Sequence, residues 1–142
     1  MKHITIIHGP NLNLLGKREP EIYGEQGFDS YLKQLQKQFA NLKISYYQSN
    51  VEGELINYIQ QCECDGIIIN AGGYAHTSIA LADAVSAINT LVVNVHISNI
   101  YSREKERHTE LLAQYCVAGI YGMGLEGYNY AIHFLTNSNN YE

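Results

Sequence analysis

Short β-branched, apolar runs alternate along this chain with stretches whose apolar residues recur every three or four positions. The first run, Lys2 to His8 (Lys-His-Ile-Thr-Ile-Ile-His), predicts a strand. From Phe28 the apolar positions fall at Tyr31, Leu32, Leu35, Phe39 and Leu42, the spacing of one helix face, with Asp29 or Ser30 as its cap. Leu42 to Gln48 alternates and predicts a second strand. Ser49 and Glu52 stand in a capping-box pattern that opens a second helix, with Val51, Leu55, Ile56 and Ile59 on one stripe. Asp65 to Asn70 holds a continuous apolar run with a polar end, as a central parallel strand covered on both faces requires. An alanine-rich helix follows from Thr77 or Ser78 to Ile88, then a fourth strand from Leu91 to His96. A short charged helix around Glu104 to Leu112, a fifth strand from Tyr115 to Tyr121 and a last helix from Leu125 to Leu135 complete the pattern. Thr136 to Glu142 is a polar tail expected to fray.

Strands alternating with helices predict an α/β fold, a three-layer sandwich around a five-stranded parallel sheet with right-handed crossovers. Five such units suit the flavodoxin-like order 2-1-3-4-5. With 142 residues, 46% hydrophobic and 16% charged, the chain is expected to form a single domain over 1–142, without repeat or linker. The net charge of −5 argues against a nucleic-acid backbone or an anionic membrane as the main partner. It leaves open an anionic small molecule, which responds to the local field of a site. No apolar run approaches the ~20 residues that span a bilayer, and the N-terminus enters a strand without a signal-peptide core. Cys62, Cys64 and Cys116 make an odd count that implies no disulfide framework, and Cys62-x-Cys64 is too isolated for zinc. Reduced cysteines and a cytoplasmic location are therefore expected.

The stretch after the first strand, residues 9 to 24, is long for a strand-to-helix connection, and such loops are usually functional. It carries Asn11, Asn13, Arg18 and Tyr23 between Gly9, Pro10, Gly16, Pro20 and Gly24, and both prolines of the chain lie in it. This is the make-up of a mobile lid with stiff hinges. In open α/β sheets, ligands bind beyond the carboxyl ends of the strands near the switch point. In the order 2-1-3-4-5 the first, third and fourth strands are neighbours, so Asn11, Asn70, His76, His96 and Ser98 converge on one crevice, over which Arg18 and Tyr23 can fold. Taken singly, Asn70 reads as a turn-former, His76 as part of a helix terminus, and Arg103, Glu104 and Arg107 as a solvated helix face. Asn94, His96 and Ser98 differ: spaced by two, they share a face of a buried segment, where unused polarity would cost desolvation.

These segments resemble the type II 3-dehydroquinate dehydratases over nearly the whole chain. The resemblance rests on Gly9-Pro-Asn-Leu-Asn-Leu-Leu-Gly-x-Arg18-x-Pro-x-x-Tyr23-Gly and on Asn70-x-Gly-x-Tyr-x-His76-Thr-Ser-Ile-Ala-x-x-Asp83-Ala. Val95-His96-Ile-Ser98-Asn99 and the Arg103-Glu104…Arg107-His108 segment add to it. It implies anti dehydration of 3-dehydroquinate to 3-dehydroshikimate through an enolate, with no metal, no Schiff base and no other cofactor. It also implies a flavodoxin-like protomer in a homododecamer, a tetramer of trimers. By the same resemblance Tyr23 removes the C2 proton, Arg18 makes it basic enough, Asn11 holds the water that stabilises the enolate, and His96 protonates the departing hydroxyl. Asn70, His76, Ser98, the Ile97 backbone amide and Arg107 would bind substrate hydroxyls and carboxylate, and Asp83 would reach in from a neighbouring subunit. The chemistry is sound in magnitude. A cation about 4 Å from a phenol contributes roughly 4 kcal/mol at an effective dielectric of 20, enough to make it a base near neutrality when the lid is closed.

One departure from the family pattern bears on the chemistry. The family usually has Glu-x-His-x-Ser at the end of the fourth strand, and here Asn94 stands in place of the Glu. An amide can accept a hydrogen bond from the ring of His96 but brings no charge, so a less easily protonated acid is expected, and with it the alternative of a weakened homologue that binds substrate-like anions without efficient turnover. Ala71 stands where proline is common, and Ala82 where arginine is common. A nucleotide- or flavin-binding module is disfavoured because the first loop lacks a Gly-x-Gly-x-x-Gly fingerprint. A receiver-like signalling domain is disfavoured because Gly9-Pro10 and Asn70 occupy the positions its acidic residues need.

Overall fold

The structure is a computed structural model that describes residues 1–17 and 27–137. Five parallel strands, β1 (His3–His8), β2 (Lys43–Gln48), β3 (Gly66–Asn70), β4 (Leu91–His96) and β5 (Ala118–Tyr121), form one sheet in the order β2-β1-β3-β4-β5. The expected order 2-1-3-4-5 is therefore the observed one. The helices are α1 (Phe28–Gln38), α2 (Glu52–Gln61), a single turn α3 (Tyr74–Thr77), α4 (Ile79–Ala87) and α5 (Glu126–Thr136).

The sheet buries both faces because its central strands are apolar at both parities. Ile4, Ile6, Ile68, Val93 and Val95 pack with Phe28, Tyr31 and Leu35 of α1 and Tyr128, Ile132 and Leu135 of α5. Ile7, Ile67, Ile69 and Val92 pack on the other side with Leu55 and Ile59 of α2 and Leu81 and Val85 of α4. Alternation then assigns the polar strand ends to faces. His8 and Asn70 point to the α1/α5 side, and Asn94 and His96 to the other.

Local chemistry differs from the sequence reading at three places. α1 starts at Phe28 with Gly27 at its N-cap, so Asp29 lies in the first turn and neither Asp29 nor Ser30 caps it. The Ser49–Glu52 capping box does not form. Ser49 Oγ accepts from the Val51 amide at 2.9 Å and donates to Glu54 at 2.7 Å, while Glu52 accepts from Ser78 Oγ at 2.5 Å. A tertiary partner thus outcompetes a reciprocal bond at the helix end. Ser78 does cap α4, accepting from the Leu81 amide at 2.9 Å.

The charged helix expected over 104–112 is absent. The span holds one short 3₁₀ turn, Lys105–Arg107, flanked by two more at Ile100–Ser102 and Ala113–Tyr115. The backbone is committed elsewhere: the Leu111 amide donates to Ala75 O at 2.8 Å and the Ala113 amide to the Glu110 carboxylate at 2.7 Å. Those bonds pull the chain onto the end of the sheet and leave no continuous i→i−4 ladder.

Candidate active site

The carboxyl ends of β1, β3 and β4 open into a crevice with about 530 Å³ of non-atom space. Asn11, Asn70, His96, Ile97, Ser98 and Arg107 all line it, so six of the ten anticipated residues are brought together. Arg18 and Tyr23, the anticipated lid residues, lie outside the described residues. His76 and Asp83 do not line the crevice. Asp83 is exposed on α4.

Backbone packing sets the floor of the crevice. The Gly9 amide donates to Asn70 O at 2.8 Å, which ties the end of β1 to the end of β3. A Cβ on Gly9 would stand 2.2 Å from Ala71 O, so no side chain fits there. Asn11 takes a left-handed conformation with φ of 72°, tolerable for Asn, and its amide donates to Asn50 Oδ1 at 2.9 Å.

Asn70 is held at both ends of its amide. Its Nδ2 donates to the Tyr128 hydroxyl at 3.1 Å, and its Oδ1 accepts from the Gly72 amide at 3.2 Å. Tyr128, fully buried in α5, also lies 2.7 Å from His8 Nε2, and Tyr46 Oη lies 2.9 Å from His8 Nδ1. Burial pushes His8 down to about 3, so the ring is neutral. A hydroxyl that accepts from Asn70 gives its own proton to Nε2, which leaves Nδ1–H to donate to Tyr46. A buried relay therefore fixes the orientation of a crevice amide.

His96 is held by a group that the sequence reading missed. Its Nε2 lies 3.1 Å from Glu110 Oε1. The Glu110 side chain is only 5% exposed, and the same oxygen accepts from Asn94 Nδ2 at 2.6 Å while its other oxygen takes the Ala113 amide. Burial pushes the Glu110 carboxyl up, but the bonds from His96, Asn94 and Ala113 and the charge of His96 outweigh it and hold the carboxyl below its usual range. The expectation that Asn94 accepts from His96 and leaves it without a carboxylate is thus corrected: Asn94 donates to Glu110, and Asn94 Oδ1 is buried without a partner among the described residues. No sequence signal marked Glu110, because it reaches His96 from a loop fourteen residues away.

His76 approaches this cluster rather than the crevice. Its Nδ1–H donates to Thr109 O at 2.7 Å, and its ring centroid stands 5.5 Å from that of His96. Burial, with the charges of His96 and Arg107, lowers His76 below its ordinary value. A second guanidinium was also missed. Arg103 lines the crevice and donates to Ser98 Oγ at 3.3 Å, while Arg107 pairs with Glu104. No described residue lining the crevice is acidic, so a protein of net charge −5 presents a locally cationic site.

The arrangement offers a histidine with a buried carboxylate behind it, two amides and two guanidiniums. It suits proton transfer on an oxygen-rich anion. The family model described as Dehydroquinase class II matches residues 2–136. The chain belongs to this family. A 3-dehydroquinate dehydratase of Halothermothrix orenii is 49% identical over 141 residues, covering 96% of this chain and 95% of that one. One of Bacillus pumilus is 44% identical over 142 residues, covering 96% of each. Among solved structures, the type II dehydroquinase of Butyrivibrio crossotus superposes with a TM-score of 0.92 at 39% identity, over 96% of this chain and 98% of that one. That of Propionibacterium acnes superposes with a TM-score of 0.90 at 34% identity, over 95% and 96%. The class II dehydroquinase fold thus extends over the described residues, with the crevice at its switch point.

Proposed function

We propose that this class II dehydroquinase converts 3-dehydroquinate to 3-dehydroshikimate by anti elimination of water, a step of the shikimate pathway leading to aromatic amino acids. The observation that carries this reading is the convergence of Asn11, Asn70, His96, Ser98 and Arg107 on one cationic crevice in a chain of this family. In the proposed scheme Tyr23, made basic by Arg18, takes the C2 proton and leaves an enolate. Asn11 holds the water that stabilises the enolate oxygen. The C1–O bond then breaks as His96 gives its proton to the leaving hydroxyl, so one water is released and the enone forms. Asn70, Ser98, the Ile97 amide and Arg107 bind the substrate's hydroxyls and carboxylate, His76 contributes from beside His96, and Asp83 acts in a neighbouring subunit's site. The scheme calls on no cofactor.

The alternative of a binder without turnover drew on the missing carboxylate at position 94. Glu110 supplies a carboxylate to His96, which removes that ground. Self-association as a dodecamer belongs to the same proposal. It is supported by Tyr101, Tyr115, Val117, Tyr121 and Met123, which are all at least 40% exposed on and around the edge strand β5. No described helix is long and apolar enough to cross a membrane, and a cytoplasmic location completes the proposal.

Turnover of 3-dehydroquinate, followed by the near-ultraviolet absorbance of the conjugated enone, tests the reaction. Activity in the wild-type protein, lost in Tyr23→Phe, supports the scheme. Absence of turnover with no ligand-induced rise in melting temperature refutes it. Light scattering that gave a monomer at micromolar concentration would refute the dodecamer.

A further inference from the structure

We infer that Glu110 is the positioning residue for the acid His96, fixing the tautomer of the ring and which ring nitrogen faces the crevice. The inference rests on the dehydratase reading above and identifies a role for a residue outside the anticipated site.

The geometry is that of a built acid support. A buried carboxylate is costly unless it is fully bonded. Glu110 meets that condition with three donors: His96 Nε2 at 3.1 Å, Asn94 Nδ2 at 2.6 Å and the Ala113 amide at 2.7 Å. Because the carboxylate can only accept, Nε2 carries a proton toward it, and Nδ1 is the nitrogen left to exchange a proton with a molecule in the crevice. The carboxylate then holds the ring from behind while Nδ1–H faces the leaving hydroxyl.

Three further basic side chains stand near this pair. His76 stands 5.5 Å away ring to ring, and Arg103 and Arg107 line the same crevice. Cys116, near Glu110, does not compete, because burial and the Glu110 charge push its thiol up to about 12 and keep it neutral. Glu110 is thus the one described carboxylate in hydrogen-bond contact with His96. Asn94 serves Glu110 directly, since its Nδ2 donates to the carboxylate and its Oδ1 has no partner among the described residues. Asn94 and His96 meet the same carboxylate oxygen from one face of β4, so a carboxylate at position 94 is placed beside the ring.

The test compares wild type, Glu110→Gln and the swapped double variant Asn94→Glu/Glu110→Gln. Steady-state turnover of 3-dehydroquinate is measured across pH, and histidine-selective ¹⁵N NMR reads the tautomer of His96 in the free enzyme. Glu110→Gln is expected to lower kcat about tenfold or more at neutral pH, with KM within about threefold. The pH profile of kcat is expected to differ from wild type, because the ring loses its charged partner. The double variant, which returns a carboxylate to the ring, is expected to recover kcat to within about threefold of wild type. In the NMR experiment wild-type His96 holds its neutral proton on Nε2, and Glu110→Gln loses that preference. Wild-type kcat, pH profile and tautomer in Glu110→Gln would overturn the inference. A wild-type protein that does not turn over 3-dehydroquinate would sink the proposed function instead. The ring-nitrogen shifts then decide the role of Glu110 alone, and a tautomer unchanged by Glu110→Gln refutes it.

Discussion

Tyr128→Phe removes a single hydroxyl from the centre of the protein and leaves the ring in place. Tyr128 is fully buried, and its hydroxyl serves both His8 Nε2 at 2.7 Å and Asn70 Nδ2 at 3.1 Å. The variant leaves one acceptor and one donor without partners in a space where water has no ready access. Each such buried group costs about 1–3 kcal/mol. Allowing for partial relaxation, the loss is about 2–4 kcal/mol, a large share of a typical total of about 5–15 kcal/mol. With a urea m-value of about 2 kcal/mol/M, the unfolding midpoint falls by about 1–2 M at unchanged slope. The same change frees one end of the Asn70 amide, which keeps only its bond from Gly72. KM for 3-dehydroquinate is therefore expected to rise severalfold. A double-mutant cycle with His8→Leu separates the relay from simple packing, since a shared bond couples the two by about 1 kcal/mol or more. A midpoint shift below about 0.3 M, or full additivity in the cycle, would refute the relay as the device that holds Asn70.

Other outcomes follow from the same geometry. His8 is held near 3 in the fold and titrates near 6.5 when unfolded, so the unfolded chain binds the extra proton between those values. Its contribution is complete above about pH 6.5 and is lost as pH falls, by roughly 2–3 kcal/mol at pH 4.5; urea midpoints at pH 7 and 4.5 check this, and His8→Gln is expected to flatten the difference. Gly9→Ala drives a Cβ into Ala71 O, with backbone on both sides, and is expected to cost about 2–3 kcal/mol in thermal or urea unfolding; an unchanged midpoint would mean the β1 and β3 ends separate freely. Arg107→Gln and Arg103→Gln each remove a cation from the crevice and are expected to raise KM about ten- to a hundredfold, with kcat less affected, in steady-state assays.

The periodic features of the chain carried most of the fold. The largely apolar runs at 65–70 and 91–96 identified buried parallel strands, and the observed β3 and β4 match them closely. The two-residue spacing of Asn94, His96 and Ser98 placed them on one line, and the crevice receives His96 and Ser98 from it. Where local rules failed, a competing partner, near or distant in sequence, had taken over the group in question. Ser49 and Glu52 gave up a capping box to Glu54 and Ser78. The segment after Arg103 lost its helix to the bond between Leu111 and Ala75 and to the Glu110 contact with Ala113.

The chain's own pattern thus determined the alternation of strands and helices, the two-sided core and the strand ends where polar side chains gather. These follow from periodicity and short-range sterics, which act between neighbours in sequence. The tertiary structure alone decided that Glu110 backs His96, that Asn94 donates to the carboxylate instead of accepting from the ring, and that Tyr128 and His8 hold Asn70 from within the core. Those pairings span 14 to 120 residues, and hydrogen bonding selects partners by position in space. A carboxylate missing from one strand can therefore be supplied by a loop whose sequence gives no sign of it.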